Sequence, residues 1–351
     1  MKILVVRPDR LGDVILSTPV FEVLRRHYPE SHLSLLVREN VTPLLKGLPS
    51  LDQILIFDPD GRHAGVKGFF RLRDELRVGQ FDIAVVLQSH WKVALALFMA
   101  RVRHRVGPLS KIYSYLLYNR GVRQRRSQVE MHEADYNLQL LRTLGIQVSS
   151  RSVETRIFVS EEMQKPPREW LKKQGWRSEP LILIHPGMGG SALNWPEAHY
   201  VELIRALLQE GRSVLITGGP LEEGLLNQIR HELSSSSRQP YYYLARPGDT
   251  IDFLAGLCMQ AHVVVAPSTG PLHLAVALAK KVVTFYPPIR VQSALRWGPY
   301  LFDETKASVL VPEVYCGEDF HCKGNLCNYF PCMKSLTVKQ ALRQVDKYLE
   351  T

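Results

Sequence analysis

The sequence predicts an α/β protein of two doubly wound domains, each a parallel sheet with helices on both faces. Three observations carry this. Short β-rich runs alternate with helical patterns through the first half. Residues 151–179 break the alternation with a polar stretch that holds Pro166 and Pro167. The alternation then restarts and runs almost to the end. A chain of 351 residues suits two domains of ordinary size.

Ile3–Val6, Leu33–Val37, Gln53–Phe57 and Asp82–Leu87 read as strands. Val14–His27 carries apolar residues at helical spacing between the first two. Glu133–Leu144 is an amphipathic helix stopped by Gly145. In the second half Leu181–His185 is a strand, Tyr200–Gln209 a helix, Val214–Thr217 a strand and Glu222–Leu233 a helix. Val263–Ala266 is a strand that runs into a helix opened by Ser-Thr-Gly-Pro. Val282–Tyr286 is one more strand, and Val338–Leu349 is amphipathic and helical. The boundaries read from this are a first domain over 1–160, a linker over 161–179, a second domain over 180–335 and a terminal helical segment over 336–351. Sheets of this kind bind ligands at the carboxyl ends of their strands, and two opposed domains leave a cleft.

Composition narrows the classes. The chain is 45% hydrophobic and 22% charged, the balance of a globular protein with a full core. No run of about 18 apolar residues occurs, so no segment is expected to span a membrane. MKILVVRPDR has too short an apolar run, and no cleavage site, for a signal peptide. A cytoplasmic protein is expected. The net charge of +10 favours an anionic partner, whether nucleic acid, anionic lipid or phosphorylated substrate. A generally basic surface accounts for it equally well. Five cysteines in a reducing compartment argue against a disulfide framework.

Four loops carry the candidate chemistry. In RPDRLGDVILSTPV, residues 7–20, the glycine behind the first strand is followed by Asp13. A carboxylate there would repel a phosphate, and an ordinary helix cap is the plain reading of it. In APSTGPLHLA, residues 266–275, Ser268 reads as the N-cap and Pro271 fits the first turn. Free N–H groups at Ser268, Thr269 and Gly270 could hold a diphosphate, with His273 donating to the same oxygens. The segment reads equally as a capped helix with a satisfied histidine. Gly187, Gly189, Gly190 and Ser191 follow a buried strand and could line an anion pocket. Glu222 and Glu223 follow Gly218-Gly219 and could bind ribose hydroxyls, or simply favour a helix start. Neither G-x-G-x-x-G nor G-x-x-x-x-G-K-[ST] is present.

Taken in order, RLGDVILSTP at 10–19, HEADYNLQLLRTLG at 132–145, HPGMGGSALNWP at 185–196, GGPLEE at 218–223 and PSTGPLHLA at 267–275 resemble glycosyltransferase family 9. These are the ADP-heptose–lipopolysaccharide heptosyltransferases, and the resemblance covers nearly the whole chain. It implies a GT-B fold, two Rossmann-like domains facing across a cleft, with acceptor on the first and nucleotide sugar on the second. It implies transfer of heptose from ADP-L-glycero-D-manno-heptose to the lipopolysaccharide core, with inversion and without a catalytic cofactor. Asp13 matches the family's general base. The 187–191 loop, Glu222, Glu223, Ser268, Thr269, Gly270 and His273 become donor-binding candidates, His273 also a catalytic one. Arg10, Gly12, Arg62, Lys67 and Arg120 become acceptor-binding candidates. Leu193 departs from the pattern, standing where the family often carries Lys or Arg. A nucleotide-sugar epimerase and a nucleotide-binding relic are the competing readings on the same fold.

Two features lie outside these motifs. Residues 101–126 hold eight Lys or Arg and no acid, interleaved with Tyr113, Tyr115 and Tyr118. This suits a phosphorylated lipid surface, RNA or a solvated face. The family favours lipid A acceptor and the inner leaflet of the inner membrane, with no nucleic acid. Cys316, Cys322, Cys327 and Cys332 have looser intervals than the usual zinc spacing, yet their density suggests structural zinc or iron as readily as free thiols. Cys258 lies in an apolar helix and reads as core.

Overall fold

The computed structural model describes residues 1–190, 192–246, 248–316 and 321–350. The chain divides into two compact units: Met1–Arg126 with Glu130–Phe158, and Val159–Thr351 with Ser127–Val129.

The first unit is built on six parallel strands: β1 (Lys2–Val6), β2 (His32–Val37), β3 (Gln53–Ile56), β4 (Ile83–Val86), β5 (His104–Pro108) and β6 (Arg120–Val122). Their order is β3-β2-β1-β4-β5-β6. Ile3 to Val6 are fully buried, as a strand covered by helices on both faces must be. Ile3 pairs with Leu33 on one side and Ile83 on the other. The winding reverses between β1 and β4, and such a switch point leaves a crevice beyond the strand ends.

Two helices differ from expectation for local reasons. Val14–His27 is not one helix but two, Leu11–Ile15 and Thr18–His27. Pro19 cannot donate to the Ile15 carbonyl, and the Thr18 hydroxyl does so instead at 2.8 Å. The Ser17 hydroxyl bonds the Asp13 carbonyl at 2.7 Å. Glu133–Gln139 is α-helical and then tightens into a 3₁₀ turn over Leu140–Leu144, which Gly145 ends at φ 82°. The basic stretch 101–126 holds β5, β6 and the helix Ile112–Leu117.

The second unit repeats the winding with β7 (Leu181–Ile184), β8 (Ser213–Gly218), β9 (Tyr241–Leu244), β10 (Val263–Pro267), β11 (Lys281–Phe285) and β12 (Ala307–Leu310). The order is β12-β11-β10-β7-β8-β9, again parallel, with its switch point between β7 and β10. Trp195 stacks on Phe285 at 4.2 Å in its core. The C-terminal helix Val338–Leu349 is capped reciprocally by Thr337 and Gln340 and packs on the helix Glu197–Gln209.

The expected linker is largely a helix, Glu161–Lys173, belonging to the second unit. Ser160 caps it, with Glu161 and Glu162 at its start and Lys172 and Lys173 at its end. Pro167 is buried against Gly256 of the helix Ile251–Gln260, where any side chain would collide with it. Packing and end charges here outweigh the proline penalty. Among the described residues no helix is long and apolar enough to cross a membrane.

Candidate active site

At the switch point of the first unit, β1 ends in Arg7, whose side chain is only 2% exposed. Its Nη2 donates to Asp13 Oδ1 at 2.7 Å and lies 3.4 Å from Glu133 Oε1. Its Nη1 donates to Asn137 Oδ1 at 3.2 Å. Asp9 lies 2.9 Å from Nε, an electrostatic contact rather than a directed hydrogen bond. Arg126 adds a second cation, donating to Glu133 at 2.5 Å and to the Leu87 carbonyl at 3.0 Å, just past β4. Burial pulls the Arg7 pKa down, and the charges of Asp13, Asp9 and Glu133 more than restore it. Glu133 is 2% exposed, whereas Asp13 keeps 23% and Asp9 20%. Of the three carboxylates, only the two aspartates can reach a ligand.

Asp9 carries the perturbed acid. Burial, and then the like charges of Asp13 and Glu133, push it up to about 6 against the pull of Arg7. An unfolded aspartate titrates near ~4. Between those values the folded state holds the extra proton, so stability falls as pH rises from about 4 to about 6 and stays lower above that. The full effect is about 3 kcal/mol. Asp9→Asn is expected to lose this slope, so that its melting temperature gains on the wild type between pH 4 and pH 8. A constant gap across that range would show that Asp9 is not perturbed.

In the second unit three strand ends meet the glycine loops. His185, buried at the end of β7, places Nδ1 3.1 Å from Thr217 Oγ1 and Nε2 3.5 Å from Glu222. Burial lowers its pKa and the Glu222 charge opposes this. Glu222 also accepts the Gly219 N–H at 2.6 Å and lies across Gly187, where a methyl group would collide with its carboxylate. Gly189 and Gly190 face open space, and Gly190 has a φ of 74° that favours glycine. Asn194 closes the loop by donating to the Pro186 carbonyl at 2.8 Å. Glu223, by contrast, begins the helix Glu223–Glu232 in the exposed first turn.

Beyond β10 the helix Gly270–Ala277 starts at the switch point. Its N-cap is Thr269 rather than Ser268, and the Thr269 side chain makes no capping bond. Ser268 instead lies near the hydroxyl of buried Tyr286, which donates to the Trp297 carbonyl. His273 lies in the first turn and is buried. An uncapped helix start beside glycine loops can receive an anion. Ser191 lies outside the described residues.

The structure separates the remaining candidates. Arg10 is exposed and is the N-cap residue of the helix Leu11–Ile15, which contains Gly12 and Asp13. Arg62 pairs with Glu75 at 2.7 Å beyond β3, and Lys67 is exposed on the helix Gly65–Gly79. Arg120 does not join them. It opens β6 at the amino edge of the sheet, bonded to His104 and to the Thr143 carbonyl, whereas Asp13 lies beyond the carboxyl edge. The four C-terminal cysteines line one cavity, but among the described residues no three of His, Cys, Asp and Glu form a closed metal-ligand set. Arg7, Asp9, Arg126, Glu133 and Asn137 were not anticipated. Their signals were charges directly behind an apolar strand, and an acid and an amide four apart on one helix face.

Residues 69–328 match the family described as glycosyltransferase family 9 (heptosyltransferase). The chain belongs to glycosyltransferase family 9. This family 9 enzyme is 26% identical over 307 residues to lipooligosaccharide heptosyltransferase 2 of Haemophilus ducreyi, covering 82% of this chain and 84% of the relative. A family 9 glycosyl transferase from Veillonella parvula superposes with a TM-score of 0.84 at 21% identity, over 99% of this chain and 97% of the other. The E. coli ADP-heptose lps heptosyltransferase II superposes at 0.79 with 23% identity, over 100% and 99%. Both likenesses show the fold.

Proposed function

We propose that this glycosyltransferase moves heptose from ADP-L-glycero-D-manno-heptose to a Kdo or heptose unit of the lipopolysaccharide core, with inversion and with Asp13 as general base. The observation that carries it is the Arg7 fork, which fixes Asp13 at the switch point while leaving its carboxylate accessible. An inverting transfer needs one carboxylate within hydrogen-bond reach of the acceptor hydroxyl. The second unit carries the candidate site for the leaving group. The helix start at Thr269–Gly270, His273 and the glycine loop stabilise the departing diphosphate. In this reading Glu222, which also accepts the Gly219 N–H, receives the ribose hydroxyls. The test is mass spectrometry of lipid A–Kdo and heptosylated acceptors incubated with ADP-heptose. A product heavier by one heptose supports the reading. Turnover of the nucleotide sugar without acceptor would favour an epimerase instead.

The acceptor is a lipid, and the first unit has a face suited to one. The adjoining helices Gly65–Gly79, Trp91–Met99 and Ile112–Leu117 expose Phe70, Trp91, Ile112 and Leu116 among Lys67, Arg71 and Lys92. Apolar side chains ringed by cations suit an anionic bilayer surface. The protein is expected to co-sediment with phosphatidylglycerol vesicles and not with phosphatidylcholine vesicles, and Leu116→Asp to weaken this severalfold. Equal binding to both vesicles would remove the electrostatic part of the proposal.

A further inference from the structure

The transfer chemistry leaves four cysteines unused. Cys316, Cys322, Cys327 and Cys332 are partly buried, form no disulfide and share the wall of one cavity of about 300 Å³. The backbone supports them. The Gly324 N–H donates to Cys322 Sγ at 3.4 Å, and Gly324 itself turns the chain at φ 55°. The Cys327 N–H returns to the Gly324 carbonyl at 2.9 Å, and the Phe330 N–H to the Cys327 carbonyl at 3.0 Å.

We propose that these four thiolates bind one tetrahedral, thiophilic metal ion, zinc or iron, and that this ion braces the loop over 187–194 from behind. The sulfurs line the cavity without converging, so binding draws them inward and releases their protons. No electron transfer is involved.

The brace follows from what else lines the cavity. Leu193, Pro288 and Ile289 share its wall with the cysteines. The Leu193 N–H donates to Gln292 at 3.0 Å, and buried Trp195 donates to the Leu336 carbonyl at 2.8 Å, four residues past Cys332. The exit of the glycine loop is thus tied to the Arg290–Gln292 turn, next to Pro288 and Ile289 of the cavity wall, and to the chain just past Cys332. Leu193 faces the cavity as an apolar support. The bracing half of the proposal rests on the donor-binding reading above, and the metal half does not.

The test uses the full chain purified under reducing conditions without added metal. Elemental analysis is expected to find one zinc or one iron per chain. Visible absorption distinguishes them, since iron thiolates are coloured and zinc thiolates are not. Cys327→Ser and Cys332→Ser are expected to lose the metal, while Cys258→Ala, which is buried elsewhere, keeps it. Absence of stoichiometric metal in the wild type, several irons with labile sulfide, or metal retained in both serine variants would each overturn the site. ADP affinity by calorimetry is expected to fall about tenfold on metal loss, the scale of supporting interactions around such sites. Unchanged affinity would overturn the brace. Should the serine variants fail to fold, stripping the wild type with a chelator and restoring zinc or ferrous iron reads the same two quantities. A metal-loaded wild type that binds no ADP would refute the donor reading and leave the metal site standing.

Discussion

Arg7→Met is expected to cost the first unit about 3–5 kcal/mol, the scale for removing one partner of a buried ion cluster. Methionine fills similar space, so the loss is electrostatic. Arg7 holds Asp9, Asp13 and Glu133 together at 2.7–3.4 Å, and without it Arg126 is the cation bonded to Glu133 in the cluster. The carboxylates then repel one another where water cannot screen them. They can escape by taking up protons, so the cost should shrink as pH falls. Arg7→Lys keeps the charge and loses the fork that reaches Asp13, Glu133 and Asn137 at once, and is expected to fall between the two. Glu22→Gln is the control. Its pair with Arg26 is a surface i,i+4 contact at 2.7 Å, and the change should stay under about 1 kcal/mol. Urea unfolding of the three variants at two pH values decides this. An Arg7→Met protein as stable as the Glu22→Gln control would mean that the cluster contributes nothing to the fold.

The cluster also shows what could be read from the sequence. The central strands were legible because they are continuous apolar runs buried on both faces, as Ile3–Val6 and Leu181–Ile184 are. The strands that escaped notice, β5, β6, β9 and β12, include the edge strands β6, β9 and β12. They are short and only partly buried, and in β5 and β6 arginines interrupt the pattern. The helix over 161–173 was hidden by its two prolines, since its caps and its fit against Gly256 are not local properties. The glycine loops stood out because glycine marks close approach to backbone. Glu133 and Asn137 did not, because nothing local says that they meet Arg7, more than 120 residues away. Asp13 was visible only as an acid in the wrong place for a phosphate.

That acid carries the largest functional effect. Asp13→Asn keeps the shape of the side chain and an oxygen for Arg7, so the fold should survive. It removes the group that accepts the acceptor's proton, and kcat is expected to fall by about 10²–10⁴. ADP affinity should stay unchanged, because the proposed diphosphate site lies on the second unit. The rival base is Asp9, similarly exposed and titrating near neutrality, where a general base works best. Asp9→Asn separates the two. If Asp13 is the base, Asp9→Asn shifts the pH profile through the shared arginine but keeps most of kcat. If Asp9 is the base, the losses exchange places. The geometry favours the first outcome. Asp13 accepts a short, directed bond from Nη2, which fixes one oxygen and leaves the other for the acceptor. Asp9 instead has only an undirected contact with Nε, which fixes neither of its oxygens.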